Sequence, residues 1–348
     1  MTTPASGPGS GAPTDPPAAD PTDPPAADPP GTRPGLSTFT IEGRSAPALF
    51  VVGWLATLLG LGLIVVGILS SRGFPTTLLL VGGLAVLSFG LVAAAGSQGI
   101  ERRARGATSY AGPSPLLVFG ASIPVSILIL VIVAAPLGTL GFPLAGPPGA
   151  LLSVVAQAAV YIGLIRLLVV DVGALDWAAM GIRRLDARAL AEIGGGALWA
   201  VPLVVVTAFV SVVLLAIFPV TPESPLPPTG EAVGFTLSLI AGVLVAPFGE
   251  EILFRGFATT AWVRGMGVRG GLVRAALVFA FAHILTISGS SAGDAVGLAV
   301  VGFATRVPIA IALGILFTRR GTIWSSFGLH AAFNGILLVL AEAASRTL

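Results

Sequence analysis

Two glutamates stand side by side at Glu250 and Glu251, and an arginine follows at Arg255. The chain's two histidines, His283 and His330, come further on, the second with Asn334 four residues after it. All six lie in stretches that are otherwise strongly apolar. A charge within hydrocarbon costs about 2.5–3.5 kcal/mol on insertion scales, so one that persists faces a bundle interior and is a candidate for function. Carboxylate, imidazole and amide together are the groups of general acid–base catalysis and of oxyanion binding.

Spacing suggests roles. Glu251 and Arg255 are four apart, the separation at which an acid N-terminal to a base pairs along one helix. Glu250 points about 100° away from Glu251 on a 3.6-residue helix, which leaves it the freer carboxylate and the candidate general base. His330 and Asn334 share a helix face, where an imidazole and an amide donor can meet a developing oxyanion. The plainer alternatives are an ion pair that only fixes helix packing and a His–Asn hydrogen bond that joins two helices. Pro247 removes a backbone donor three residues before Glu250 and predicts a kink there.

The elements that must position these residues are membrane helices. The 348 residues are 55% hydrophobic and 10% charged, against roughly 25% charged in ordinary soluble domains, and the mean hydropathy is +0.97. Apolar runs of about 20 residues, enough to cross a ~30 Å hydrocarbon core, predict an all-α integral membrane protein. It is a polytopic helical bundle of about nine transmembrane helices: residues 47–69, 75–97, 115–136, 149–170, 195–219, 233–258, 271–287, 294–317 and 322–344. Residues 171–192 suit either a helix lying on the membrane surface or a polar loop. Residues 1–46 are proline- and alanine-rich, with a tandem octapeptide at 13–20 and 21–28. This reads as a disordered arm without the basic and apolar regions of a cleaved signal peptide. The expected organisation is the arm at 1–46, N-terminal transmembrane helices and an interfacial segment at 47–192, and a catalytic transmembrane core at 193–348.

Arginine placement orients the bundle, because basic residues near span ends stay in the cytoplasm. With the N-terminus inside, cytoplasmic loops carry Arg102, Arg103 and Arg105, then Arg183, Arg184 and Arg188, then Arg264, Arg269 and Arg274, then Arg319 and Arg320. The opposite loops carry Arg72, and the C-terminus with Glu342 and Arg346 falls outside. Counted from the cytoplasmic ends, Glu250, His283 and His330 each lie roughly 12–18 Å deep at a 1.5 Å rise, in one layer. The arginines are spread over loops rather than gathered in a patch, which does not imply nucleic acid as a partner. Cysteine is absent, which excludes disulfides, thiolate nucleophiles and Cys-based metal sites.

Three motifs carry a resemblance. Glu250-Glu251-Ile252-Leu253-Phe254-Arg255, then Phe279 four residues before His283, then His330 four residues before Asn334 resemble the CAAX-processing and bacteriocin-immunity family of intramembrane peptidases, which includes the type II CAAX prenyl endopeptidases. The resemblance covers about residues 195–344. It implies an intramembrane endopeptidase, opening toward the cytosol, that cleaves near the C-terminus of a protein or peptide substrate, membrane-associated or lipidated. By matching position, Glu250 and His283 activate the attacking water and His330 with Asn334 form the oxyanion site. Glu251, Arg255 and Phe279 support them. The resemblance admits a metalloprotease-like or a metal-free glutamate mechanism. Glu250, His283 and His330 are the groups that could hold zinc, but with no HExxH helix the metal-free form is favoured and no cofactor is expected.

Two other classes use the same side chains. A transporter builds proton relays from them, though here the ionisable groups cluster in the last four spans. A bacteriocin-immunity or partner-binding protein could bind through the same cavity without catalysis. Arg166, near a helix end, can snorkel to the interface. Arg306, mid-span before Pro308, fits no motif; pairing with Asp294 or another acid and binding of a substrate carboxylate are all open to it.

Overall fold

Prolines and glycines punctuate the apolar runs, and helices begin and end at them. The computed structural model describes residues 41, 43–70, 73–107, 109–222 and 227–345. Most of the arm expected to be disordered, and also Arg72 and Arg346, lie outside the described residues. Helices α1 (Pro47–Leu69), α2 (Phe74–Ala104), α3 (Pro115–Thr139) and α4 (Gly146–Ile165) each carry proline in their first two positions, where the missing N–H is not needed. A π-helical turn, Arg166–Val170, extends α4. Asp186 caps α5 (Ala187–Ala197) by accepting from Ala189 N–H at 2.9 Å, and α6 (Ala200–Ile217) follows after a short break.

The next stretch alternates register: α7 (Ala232–Leu239), a π segment Ile240–Val245, α8 (Ala246–Glu250), a second π segment Glu251–Thr259, and α9 (Thr260–Ala282). Helix α10 (Ala292–Arg320) starts at Ser291, whose hydroxyl accepts from Asp294 N–H, and stops at Gly321 with φ 65°, the left-handed cap that glycine adopts readily. Helix α11 (Ile323–Ser345) ends the described chain.

Among the described residues the regular elements are all helical, and eight continuous stretches are long and apolar enough to cross a membrane. The longest, Ala232–Ala282, is broken inside α9 at Gly267 (φ 80°, ψ 168°). Counting its two arms separately gives the nine segments expected from the sequence. The chain is a multi-pass membrane protein. The segment expected at the membrane surface divides: residues 171–186 are turns and loop, and from Ala187 the chain is helical through α5 and, past the turn at 198–199, α6, so this apolar stretch begins eight residues earlier than expected. Gly196 of α5 and Gly328 of α11 let the two helices touch backbone to backbone, since a Cβ on either would overlap the other helix.

The core lies where α4, the second π segment, α9, α10 and α11 meet. Phe257, Phe279, Leu313, Ile323 and Leu329 are fully buried there beside Glu251 and Arg255. Glu342 near the end of α11 accepts from the Thr229 and Gly230 N–H groups at 2.9 and 3.1 Å, and so fastens the approach to α7 onto α11.

Candidate active site

Two register shifts flank Glu250. Ala246 N–H, which an α-helix would give to Gly242, goes to Ala241, and residue 247, the i+5 partner of Gly242 in a π register, is proline with no N–H. The Gly242 carbonyl accepts instead from Asn334 Nδ2 at 2.9 Å. Proline, π segment and asparagine thus form one unit that fixes α11 against the approach to Glu250. In the second π segment the Thr259 hydroxyl donates to Phe254 O, five residues back, at 2.7 Å, which suits the wider turn. The kink expected from Pro247 takes this form.

The structure brings Glu250, His283 and His330 together. Glu250 Oε2 lies 3.7 Å from His283 Nε2 and 3.8 Å from His330 Nε2, too far for direct hydrogen bonds and suited to a shared water molecule. This oxygen is buried and has no hydrogen-bond partner. The His283 and Glu250 side chains retain 26% and 17% of their exposure and His330 only 5%, so water has access from the His283 side. His283 stands at the C-terminal cap of α9, not within a span as expected.

Glu251 does more than pair along its helix. Its Oε1 sits 3.1 Å from Arg255 Nη1 and 2.9 Å from His330 Nδ1. Phe279 lies behind all of them. Its ring contacts His283 (4.5 Å between centroids) and His330 (5.7 Å), and the Arg255 guanidinium stacks over it at 4.1 Å. Its carbonyl oxygen lies 2.8 Å from His283 Nδ1.

These partners settle the tautomers. A carbonyl and an ion-paired carboxylate only accept, so each ring carries a proton on Nδ1 and turns Nε2 toward Glu250. A neutral His283 is therefore an acceptor at Nε2. His330 can donate from Nε2 only as the doubly protonated ring, whose charge Glu251 is placed to balance. Asn334, expected beside His330 as an oxyanion donor, uses one amide hydrogen on Gly242 and keeps the other. Imidazoles held through Nδ1 are also the arrangement of zinc ligands. Among the described residues, however, no three His, Asp or Glu side chains are placed to hold an ion, so the zinc set named from sequence does not close here.

Two neighbours escaped the sequence reading. Tyr161 on α4 is buried and within electrostatic reach of Glu250, and Gly249 packs on α4 at Ala158. Helix α4 therefore backs the site, although its span was assigned outside the catalytic core. The available signal was a tyrosine, one of two in the chain, in an apolar span. Arg306 lies in the field of both Glu250 and His283. Arg166 is exposed and 3.7 Å from Asp171, clear of the site.

Residues 232–336 match the family model for type II CAAX prenyl endopeptidase Rce1-like proteins. This part of the chain is similar to the CAAX proteases. The match begins at α7 and ends two residues past Asn334, so it contains all three motifs and is narrower than the 195–344 expected. No curated protein and no solved structure matches the chain.

Proposed function

We propose that the chain is an intramembrane endopeptidase that hydrolyses a peptide bond near the C-terminus of a protein or peptide substrate, with Glu250 as general base. The observation that carries this reading is Glu250 Oε2, buried without a hydrogen-bond partner and 3.7–3.8 Å from two imidazole nitrogens. A water held there donates to Glu250 and to the Nε2 of neutral His283. Its oxygen adds to the substrate carbonyl carbon as its proton passes to Glu250. Doubly protonated His330 and the second amide hydrogen of Asn334 stabilise the oxyanion. Collapse breaks the C–N bond, and Glu250 returns the proton to the leaving amine.

The test is cleavage of membrane-associated peptides, prenylated and unmodified, by purified wild-type and Glu250→Gln protein, with and without chelator. The substitution is expected to lower kcat by about 10²–10⁴-fold, and chelator is expected to leave wild-type activity unchanged. Equal cleavage by the two proteins removes Glu250 from its role; loss with chelator alone replaces the glutamate mechanism by a metal-dependent one.

The arginine-bearing loops support a cytoplasmic N-terminus and a site that opens toward the cytosol. The chain has no cysteine, so Ser109→Cys and Ser70→Cys can be labelled one at a time in intact cells. An impermeant reagent is expected to reach residue 70 and not 109; the reverse pattern inverts the topology.

A further inference from the structure

Among the described residues one cation of the site, Arg306, feels Glu250 only at a distance and has no acid in direct contact. Arg255 has Glu251 in direct contact. Arg306 bonds its own helix at Gly302 O, 2.9 Å away, and no acid among the described residues lies within ion-pairing distance of it. Asp294, the acid considered from sequence, is on the same helix twelve residues away and is occupied by the Ser290 N–H and hydroxyl at 2.8 and 3.0 Å.

Position sharpens the point. Arg306 is fourteen residues from each end of α10, about 21 Å at 1.5 Å per residue, and so at the middle of a ~30 Å core. A guanidinium there is expensive to insert, and it is half-buried rather than sealed. A lipid phosphate stays at the interface, about 15 Å away. Beside it are Ile284 and Ile287, one and four residues after His283, which gather with Arg306 Nη1 around Gly302, where an added Cβ would strike Ile287 and touch the other two. The surroundings are thus apolar side chains, one forked cation and the Glu250–His283 pair.

We infer that Arg306 binds the terminal carboxylate of the peptide chain that Glu250 and His283 act on. The guanidinium fork matches a carboxylate in two parallel hydrogen bonds, and the isoleucines receive apolar C-terminal side chains. An end anchored there sets the bond over Glu250 a few residues upstream, at ~3.5 Å per residue of extended chain. Arg306 thereby selects free C-termini over internal segments. This assignment rests on the peptidase reading for its consequence but not for its test.

The test is binding by the full chain in nanodiscs. A dansylated hexapeptide with three apolar C-terminal residues, as free acid and as amide, is titrated into Glu250→Gln protein and into Glu250→Gln/Arg306→Gln protein, with circular dichroism to establish folding. The acid is expected to bind roughly ten-fold tighter than the amide, as a charge-assisted hydrogen bond gives, and the second substitution is expected to remove that difference while leaving amide binding unchanged. Arg306→Lys restores part of it. Equal binding of acid and amide, an equal loss for both on Arg306→Gln, or no binding of either overturns the assignment. Acid preference in a protein whose wild type cleaves neither peptide keeps Arg306 as a carboxylate site and overturns the peptidase reading instead.

Discussion

In the α1–α2 hairpin, two helices touch along Gly53 and Gly60 on one side and Gly83 and Gly90 on the other, where an added Cβ would strike the partner's backbone. Around Glu250, α11 is held to the Ala232–Ala282 stretch by a His330–Glu251 contact and an Asn334 amide bonded to a main-chain carbonyl, beside a buried ion pair and a second oriented imidazole. Both are ways to hold helices where lipid removes the hydrophobic drive between them. The hairpin uses shape along its length, with one ion pair, Arg44–Glu101, at the end where α1 begins and α2 stops, and α1 buries only 17% of its most apolar stretch. The core uses polar groups that are costly when unpaired, and those same groups face a substrate. Substitutions in the hairpin should therefore be read in stability, and those around Glu250 in stability and activity together, except where a polar atom has no partner to lose.

Glu251 gives the largest expected effect on stability. Glu251→Ala leaves Arg255, which is 2% exposed, without its anion, and is expected to destabilise by about 3–5 kcal/mol. Cleavage should fall as well, because His330 loses the acceptor on Nδ1. The double variant Glu251→Leu/Arg255→Met removes both charges and is expected to recover most of the stability and none of the activity. Thermal unfolding and cleavage measured side by side decide this. If the double variant is as unstable as the single one, the pair holds the helices by more than its charge balance.

The motif residues were legible because few charged or imidazole groups occur in apolar sequence and because i,i+4 spacing survives most helical distortions. A constant rise per residue led to the expectation that Glu250, His283 and His330 share a layer, and the three side chains do meet, at 3.7 and 3.8 Å from Glu250. The register shifts were not legible, since an i→i+5 turn depends on which side chain reaches the stranded carbonyl, and Asn334 lies 92 residues from Gly242. Pro247 signalled a kink but not its π form. The role of Glu251 toward His330 was hidden for the same reason: spacing along one helix favours the partner four residues away and says nothing about a third helix. Residues 259–270 read as a connection between spans, whereas the helix runs through them and breaks only at Gly267.

Asn334→Ala comes next in size. It leaves the buried Gly242 carbonyl without its donor, at an expected ~1–3 kcal/mol, and should lower kcat through both the lost oxyanion donor and the shifted approach to Glu250. The partner change separates the two contributions. With Pro247→Ala, residue 247 regains an N–H that can serve Gly242 in the π register, so stability in the double variant should rise above that of Asn334→Ala while kcat stays low. Recovery of kcat as well would assign Asn334 to positioning alone.

Gly60→Ala is expected to change stability alone and tests the other side of the comparison. The new Cβ would sit 2.7 Å from Leu87 Cα and even nearer its amide nitrogen, so α1 must move off α2, at about 1–3 kcal/mol for an overpacked contact. Helix α1 packs mainly against α2, and no site residue lies on either. Thermal unfolding should therefore begin earlier while kcat per folded molecule stays at the wild-type value. Gly62→Ala, whose Cβ meets nothing within 4 Å, supplies the control and should change neither. A fall in kcat with Gly60→Ala and not with Gly62→Ala would mean that the hairpin, through α3 and α4, sets the position of Tyr161 behind Glu250, and that the two regions are mechanically one.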